Sequence, residues 1–497
     1  MNNTSPTNPN ATAPCVVRIA PSPSGYLHVG TARTAIFNWL YARKHNGKFL
    51  IRIEDTDTER SDTDLIQPIL DALKWLGMES DEEIVYQSTR DELHREYVAK
   101  LLDSGCAYRC FCSKERLAEA RELAMKEKRP PRYDRTCANL SEEEVAEKID
   151  AGEPFVIRIH VPEGSTTYND MALGEITREN TEIEDFVVAR ANGRALYNFA
   201  VVVDDYEMGV TDVIRGNDHI TNTFKQIHIY RALGLPEPRF AHVPLLLRPD
   251  KRKISKRLGD KDVAEYGADG ILPQTMFNYL CLLGWSPKDG REIMQVEEIL
   301  SAFDIHGINK SNPVFDVQKL YAFNKEHIKL APVAQLVELI APKLLSAGLV
   351  TTDWLKSETN KQYLETVINL MRERLRVVDD FVVSAGFFFS DDFNYDEKGV
   401  RKQFIPEAAE RLVTLADAFK SVESFEKESL EQALDNVAEK LAVKRAALIH
   451  PTRLAVSGLT VGPGLFDLLV TVGRERTLDR MQRAVEFIRK QESEVTS

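Results

Sequence analysis

The stretch PSPSGYLHVGT, residues 21–31, sets His28 and Gly30 between an apolar run and a helix-periodic one. A histidine at a helix start can hydrogen-bond phosphate oxygens, and the helix N-terminus favours an anion. Gly30 lacks the side chain that would bar a nucleotide from the backbone. The turn is therefore suited to cradling ATP. Far along the chain, RPDKRKISKRLGD gathers Arg248, Lys251, Arg252, Lys253, Lys256 and Arg257, with Ser255 and Gly259 in an expected loop. Alone, such a run is usually a solvated basic face. Paired with the His28 turn it gains a chemical reading: a lysine loop closing over a triphosphate neutralises the charge that develops on departing pyrophosphate, with no covalent step of its own.

These residues need elements to hold them. Residues 16–20 read as a strand, and Ala32, Ala35, Ile36, Trp39 and Leu40 repeat at helical spacing before Gly47, a natural stop. KFLIRIED reads as a second strand, giving the βαβ unit of a parallel sheet, with the His28 turn at the carboxyl end of its first strand. Residues 65–104 are helix-periodic. From 106 to about 183 the pattern turns irregular around a charged helix, SKERLAEARELAMKEKR, and looks inserted. Asn192-Gly193 predicts a β-hairpin across DFVVARANGRALYNFAVVVDD. A strand (VTDVIRG), a helix (ITNTFKQIHIYRALG) and an apolar run (AHVPLLL) follow, and beyond residue 330 the periodicity is helical throughout.

Composition narrows the classes. A chain of 497 residues accommodates several domains, and no apolar run approaches the ~20 residues of a membrane span. The opening MNNTSPTNPNATAP lacks the basic start and apolar centre of a secretory signal, so it is expected to be a disordered tail on a cytoplasmic protein. Six cysteines, three of them in CAYRCFC, suit a reducing compartment better than a disulfide scaffold. A net charge of −13 argues against non-specific coating of nucleic acid, so a nucleic-acid partner has to meet local basic patches.

PSPSGYLHVGT resembles the HIGH signature of class I aminoacyl-tRNA synthetases, and KISKR resembles their KMSKS signature. With RIEDTD, YNFAVVVDD and VIRGNDHI between them, the chain resembles the bacterial glutamyl-tRNA synthetase family over nearly its whole length. The resemblance implies an α/β fold: a Rossmann-type parallel-sheet catalytic domain with an inserted acceptor-binding domain, followed by an all-α anticodon-binding domain. The expected boundaries are 1–14 for the tail, 15–105 and 186–250 for the two catalytic halves and 106–185 for the insertion. The KMSKS loop and stem-contact region would span 251–330, and the helical domain 331–497. It further implies that Mg²⁺-bound ATP activates L-glutamate to glutamyl-adenylate, which is then transferred to the terminal adenosine of tRNA(Glu). His28, Gly30 and Lys256 would bind ATP, with Lys253 assisting, and His28 and Lys256 would serve catalysis. Arg18 and Arg215 would face the γ-carboxylate, supported by Tyr197; Glu54 would hold the ammonium, and Ala20 and Ser22 would line the site. A planar guanidinium pairs a carboxylate in bidentate fashion, and a carboxylate is the natural partner of an ammonium. A monomer is expected, and Arg372, Arg374 and Arg376 in MRERLR are anticodon candidates by charge and location.

Two positions depart from the family. Its usual Arg-Gly-Glu-Asp-His block reads Arg215-Gly216-Asn217-Asp218-His219 here, so any role of a carboxylate at Asn217 is lost. Cys110, Cys112 and Cys137 match a zinc set found in some relatives, but Asn139 stands where their histidine falls, leaving Tyr133 as the available fourth ligand. Two readings stand side by side there: a zinc site, or partly buried thiols. A small nucleotidyltransferase would share the His28 turn without needing the helical third, and a non-catalytic tRNA-binding module would leave His28 and Lys256 unexplained.

Overall fold

The structure, a computed structural model, describes residues 14–56, 62–128, 132–254 and 261–496. The expected tail therefore lies outside the described residues except for Pro14. The chain forms two compact units, Met1–Gly267 with Pro273–Val317, and Ala268–Leu272 with Gln318–Ser497.

The first unit begins with β1 (Val16–Ile19), α1 (Val29–Lys44) and β2 (Lys48–Ile53), followed by α2 (Ile66–Trp75) and β3 (Val85–Tyr86). β1 pairs with β2 in parallel from Val16↔Lys48 to Ile19↔Ile51, and β2 pairs in parallel with β3. Parallel neighbours need a crossover, which α1 supplies. The return is tight: a Cβ at Gly47 would collide with the Cys15 carbonyl, so the α1–β2 turn requires glycine there.

Next come α3 (Asp91–Asp103), β4 (Ala107–Cys110), α4 (Lys114–Lys126), α5 (Glu142–Asp150), β5 (Val156–Ile159), β6 (Ser165–Asp170) and β7 (Gly174–Glu179). β8 (Val187–Arg190), α6 (Tyr197–Glu207), β9 (Asp212–Gly216), α7 (Ile220–Ala232) and β10 (Arg239–Val243) follow. β9 and β10 are parallel, and β10 also takes β6 as a parallel neighbour, giving the order β7-β6-β10-β9. β4, β5 and β8 make a separate antiparallel sheet. β9 lies beside β1, where the Thr211 amide donates to the Val16 carbonyl at 2.9 Å and the Val16 amide to Thr211 Oγ1 at 2.9 Å. The chain runs outward from β1 on one side and from β9 on the other, so their carboxyl ends flank a topological switch point, where open α/β sheets bind ligands.

Two expectations fail here. Asn192-Gly193 does turn, with Gly193 at φ 75°, but the predicted hairpin shrinks to one bridge, Ala189↔Ala195, and YNFAVVVDD is the helix α6. A short continuous apolar run fits a buried strand or a buried helix equally, and helical phasing aims the adjacent acids Asp204 and Asp205 at different arginines. The stretch 106–183 is not irregular either: it carries β4 to β7, and β6 joins the main parallel strands at Phe240↔Asp170.

α8 (Val263–Ala268), α9 (Pro273–Leu282) and α10 (Val296–Ala302) precede α11 (Val317–Leu330), with which the second unit becomes helical. Its described residues hold no strand, as the periodicity predicts. Ala408, Leu412, Leu415 and Phe419 line one face of the helix Pro406–Ser421 and are buried against the helix Arg474–Thr496.

Candidate active site

A cavity of about 320 Å³ opens at the switch point. Arg18, Ala20, Ser22, His28, Gly30, Glu54, Tyr197, Arg215 and Lys253 all line it. Lys256 falls outside the described residues. β1 and the turn after it supply Arg18, Ala20 and Ser22; Glu54 follows β2, Arg215 is the penultimate residue of β9, and Tyr197 opens α6.

His28 caps α1: its Nδ1 accepts from the Gly30 amide at 3.0 Å. In the neutral ring that tautomer puts the proton on Nε2, making it a donor. A Cβ at Gly30 would meet the His28 ring at 3.1 Å, so the glycine makes room for the histidine as well as for a ligand.

The two arginines differ sharply. Arg18 is held by Asp205 through two bonds, Nε to Oδ1 at 3.0 Å and Nη2 to Oδ2 at 3.2 Å. Asp205 also binds Arg52, whose Nη2 reaches Glu54 at 3.2 Å. Burial raises the Glu54 carboxyl above its ordinary value against the pull of Arg52 and Arg18. Arg215 is 6% exposed and pairs with no carboxylate among the described residues. Its Nη2 donates to Thr223 Oγ1 at 2.6 Å and Gln226 Oε1 at 2.7 Å, its Nε to His242 Nε2 at 3.4 Å, and its Nη1 has no partner. Burial lowers the Arg215 pKa, since no carboxylate at contact distance offsets it.

Gly216, Asp218 and His219 line the cavity and Asn217 does not. Asp218 pairs with Lys253 at 2.8 Å, and His219 Nδ1 meets the Tyr197 hydroxyl at 3.2 Å. The sequence reading missed Asp205, although two adjacent acids closing an apolar run were a visible signal. It also missed Thr223, Gln226 and His242 behind Arg215; nothing local distinguishes them, because β9, α7 and β10 converge only in three dimensions.

Away from the cavity, the sulfurs of Cys110, Cys112 and Cys137 lie within 4.8 Å of one another. The Tyr133 hydroxyl sits 3.2 Å from Cys110 Sγ and 3.6 Å from Cys112 Sγ, and the Cys112 and Cys137 sulfurs are 3.5 Å apart. A tetrahedral zinc with bonds near 2.3 Å separates its sulfurs by roughly 3.8 Å, so this donor set fits such an ion.

A parallel sheet with a histidine-capped helix N-terminus and Lys253 at its switch point agrees with what the resemblance to the class I tRNA synthetases implies. The family described as "tRNA synthetases class I (E and Q), catalytic domain" matches residues 14–322, and an anticodon-binding domain matches 335–485. The chain is 43% identical over 474 residues to glutamate–tRNA ligase 1 of Caldanaerobacter subterraneus subsp. tengcongensis, covering 95% of this chain and 98% of that protein. It is 43% identical over 476 residues to glutamate–tRNA ligase 2 of Thermoanaerobacter pseudethanolicus, with the same coverage of 95% and 98%. A crystal structure of a glutamate tRNA ligase from Elizabethkingia meningosepticum, in complex with its amino acid, matches with a TM-score of 0.85 at 30% identity, over 95% of this chain and 99% of that one. The chain belongs to the glutamate–tRNA ligase family of class I tRNA synthetases.

Proposed function

We infer that the switch-point cavity joins L-glutamate to tRNA(Glu) at the expense of ATP. The observation that carries this reading is Arg215: a buried guanidinium, open at Nη1, on the wall of a cavity beside a histidine-capped helix N-terminus. A buried cation without a counter-charge is costly, and an incoming γ-carboxylate supplies one. Arg18, braced by Asp205, stands as the second guanidinium for that group, with Tyr197 beside it. Glu54 takes the ammonium, whose charge favours the ionised form that burial opposes. Ala20 and Ser22 shape the floor.

The glutamate α-carboxylate oxygen then attacks the α-phosphorus of Mg²⁺-bound ATP, forming the mixed anhydride and expelling pyrophosphate. His28 Nε2–H and the α1 N-terminus hold the phosphates, Gly30 lets them approach, and Lys253 and Lys256 meet the charge of the leaving group. In the second step a ribose hydroxyl of the terminal adenosine attacks the anhydride carbonyl carbon and AMP departs. The helical unit, matched by the anticodon-binding family, engages the other end of the tRNA. The segment 106–185 is the acceptor-binding insertion, and Cys110, Cys112, Cys137 and Tyr133 are the groups in it that would hold zinc as a structural ion.

Pyrophosphate exchange with ATP and each amino acid in turn, with and without tRNA, tests the reaction. Exchange is expected with glutamate and to require tRNA(Glu); robust exchange without tRNA overturns that requirement, and exchange that ignores glutamate points to a plain nucleotidyltransferase. Metal analysis of protein prepared without chelator tests the cluster: zinc present in the wild type and absent from Cys112→Ser assigns the ion to these groups, and a metal-free wild type leaves them as partly buried thiols. Stoichiometric zinc in that variant would place the ligands elsewhere.

A further inference from the structure

Behind the cavity wall lies a buried acid–base pair that the reaction just described does not use. His242, on β10, and Asp170, at the end of β6, are both withdrawn from water. His242 Nδ1 meets Asp170 Oδ2 at 2.6 Å. On the other side of the ring, Nε2 lies 2.8 Å from Thr223 Oγ1 and 3.4 Å from Arg215 Nε.

Proton placement follows from donors and acceptors. The guanidinium Nε–H only donates, and the Thr223 hydroxyl, already an acceptor from Arg215 Nη2 at 2.6 Å, has one proton, which goes to His242 Nε2 at 2.8 Å in preference to the His219 carbonyl at 3.2 Å. His242 Nε2 therefore offers its lone pair, and the ring is neutral with its proton on Nδ1, donated to the carboxylate. Burial, the largest influence, lowers the His242 pKa, in keeping with a neutral ring. Burial raises the Asp170 carboxyl, but the His242 bond and the amides of Leu173 and Ala172 outweigh it and hold the carboxylate ionised. The negative charge that Arg215 lacks at contact distance therefore stands one imidazole ring away.

We propose that Asp170 and His242 are positioning residues for Arg215: the carboxylate fixes the Nδ1–H tautomer, and that tautomer presents the acceptor that aims the guanidinium into the cavity. The proposal rests on the reading of Arg215 as the group that meets the γ-carboxylate. It also ties the amino-acid pocket to a strand from the segment expected to be the acceptor-binding insertion.

The second oxygen of Asp170 makes the test sharp. Oδ1 accepts from the amides of Ala172 at 2.9 Å, Leu173 at 2.9 Å and His242 at 3.2 Å. In Asp170→Asn those three amides keep the carbonyl oxygen where it is, so the new Nδ2 must face His242 and donate to Nδ1. The ring proton is then driven to Nε2, where it opposes the Arg215 Nε–H; Thr223 can accept it, but Arg215 loses its acceptor. The turn and its backbone bonds stay intact.

In aminoacylation assays of the full chain with tRNA(Glu), Asp170→Asn should raise the glutamate KM about tenfold and narrow the glutamate-to-glutamine ratio of kcat/KM, leaving the ATP KM and the melting temperature near wild type. A folded Asp170→Asn enzyme with wild-type glutamate KM and ratio overturns the proposal. Two replacements of His242 separate aim from packing. His242→Gln can place an amide oxygen near the position of Nε2 and should recover much of the glutamate KM; His242→Asn keeps a donor for Asp170 but has no acceptor for Arg215 and should not. Equal losses in both would mean that the ring only fills space. Nitrogen-15 spectra, with His242→Gln assigning the signal, should show Nδ1–H in the wild type and Nε2–H in Asp170→Asn. A wild-type Nε2–H ring overturns the proposal whatever Arg215 binds. If instead Arg215→Gln leaves the amino-acid ratio unchanged, the reading of Arg215 fails; if that variant shifts the ratio while Asp170→Asn does not, the positioning role fails alone.

Discussion

In the sheet-based unit the side chains withdrawn from water include Arg18 and Arg215 on the cavity wall and, linked to them by hydrogen bonds, Asp205, Arg52, His242 and Asp170. In the helical unit the interior is built from residues such as Leu336, Leu364, Leu412, Leu415, Phe419 and Leu434, and among its described residues Arg480 is the one buried permanent charge. Hydrocarbon burial contributes to stability at ~25 cal/mol per Å² of apolar surface, whereas a buried ion pair often gains nothing over a well-packed apolar substitute. The buried charges behind the cavity are thus better explained by what they bind than by what they stabilise, whereas Arg158, Asp185 and Asp212, buried elsewhere in the same unit, serve hydrogen bonds and ion pairs of the fold. By the same logic the helical unit, whose interior is spent on cohesion, has to do its binding at its surface.

The largest effect that could break this contrast is at Arg215. Arg215→Gln removes the open cation while glutamate still brings its charge, and breaking a buried pair in that way costs ~3–5 kcal/mol, or about two to four orders of magnitude in kcat/KM. Glutamine carries no side-chain charge and loses less. The ratio of kcat/KM for the two amino acids should therefore narrow without yielding an efficient glutamine enzyme, because Arg18 remains. An unchanged ratio, even at lower activity, would make Arg215 a group that serves the fold or the nucleotide.

Much of this contrast was legible in the sequence, and unevenly. The His28 turn and the βαβ unit around it are local, and local pattern found them. The helical third announced itself through long 3.6-residue periodicity. YNFAVVVDD did not, because an apolar run of that length fits strand and helix alike, and the choice is made by arginines on β1 and β2, more than a hundred positions earlier in the chain. Arg215 could be named from its motif, but its partners could not: Thr223, Gln226, His242 and Asp170 reach it from three elements whose convergence is a property of the sheet. The parallel neighbours β6 and β10, joined at Phe240↔Asp170, lie about seventy residues apart, and no pattern within either strand records the pairing.

Next in size is the converse experiment in the helical unit. Leu415 is fully buried, and Leu415→Ala should cost ~2–5 kcal/mol of stability through lost burial and the cavity left behind. Denaturant unfolding reads the loss, and the glutamate KM should not move. A shift in that KM as large as the one in Arg215→Gln would show that the two interiors are not dedicated as the contrast holds.

Proton uptake sharpens the same point. Burial lowers the pKa of His327 on α11 from 6.5 to about 4. Between those values the unfolded chain binds a proton that the folded imidazole refuses, so this group's contribution to stability is full above pH 6.5, is lost as the pH drops toward about 4 and changes no further below it. One such group changes the unfolding constant by at most about tenfold per pH unit. Amide hydrogen exchange in α11 should track this slope in the wild type and flatten in His327→Gln. An unaltered slope in the variant would assign the effect to other histidines.

The smallest expected effects concern the three arginines of MRERLR, and they divide the surface of the helical unit into structure and function. Arg372 is half-buried, and its Nη2 donates to the carbonyls of Ile328, Lys329 and Ala331 at the end of α11. It is therefore a clasp, and Arg372→Ala should cost ~1–3 kcal/mol of stability because buried acceptors lose their donor. Arg376 is exposed, with its guanidinium 5.1 Å from the Tyr321 ring centroid and a bond to Gln318 Oε1 at 3.3 Å. Arg374 is exposed. If it meets a phosphate of bound tRNA, Arg374→Ala should leave the melting temperature unchanged, weaken tRNA(Glu) binding by less than ~1 kcal/mol and lower the slope of log affinity against log salt by about 1. Measuring binding across a salt series, beside a melt of the same protein, distinguishes a contact from a clasp. Should Arg374→Ala lower the melt and spare the slope, all three arginines would belong to the cohesion of the helical unit, and its RNA-binding surface would have to be sought on another face.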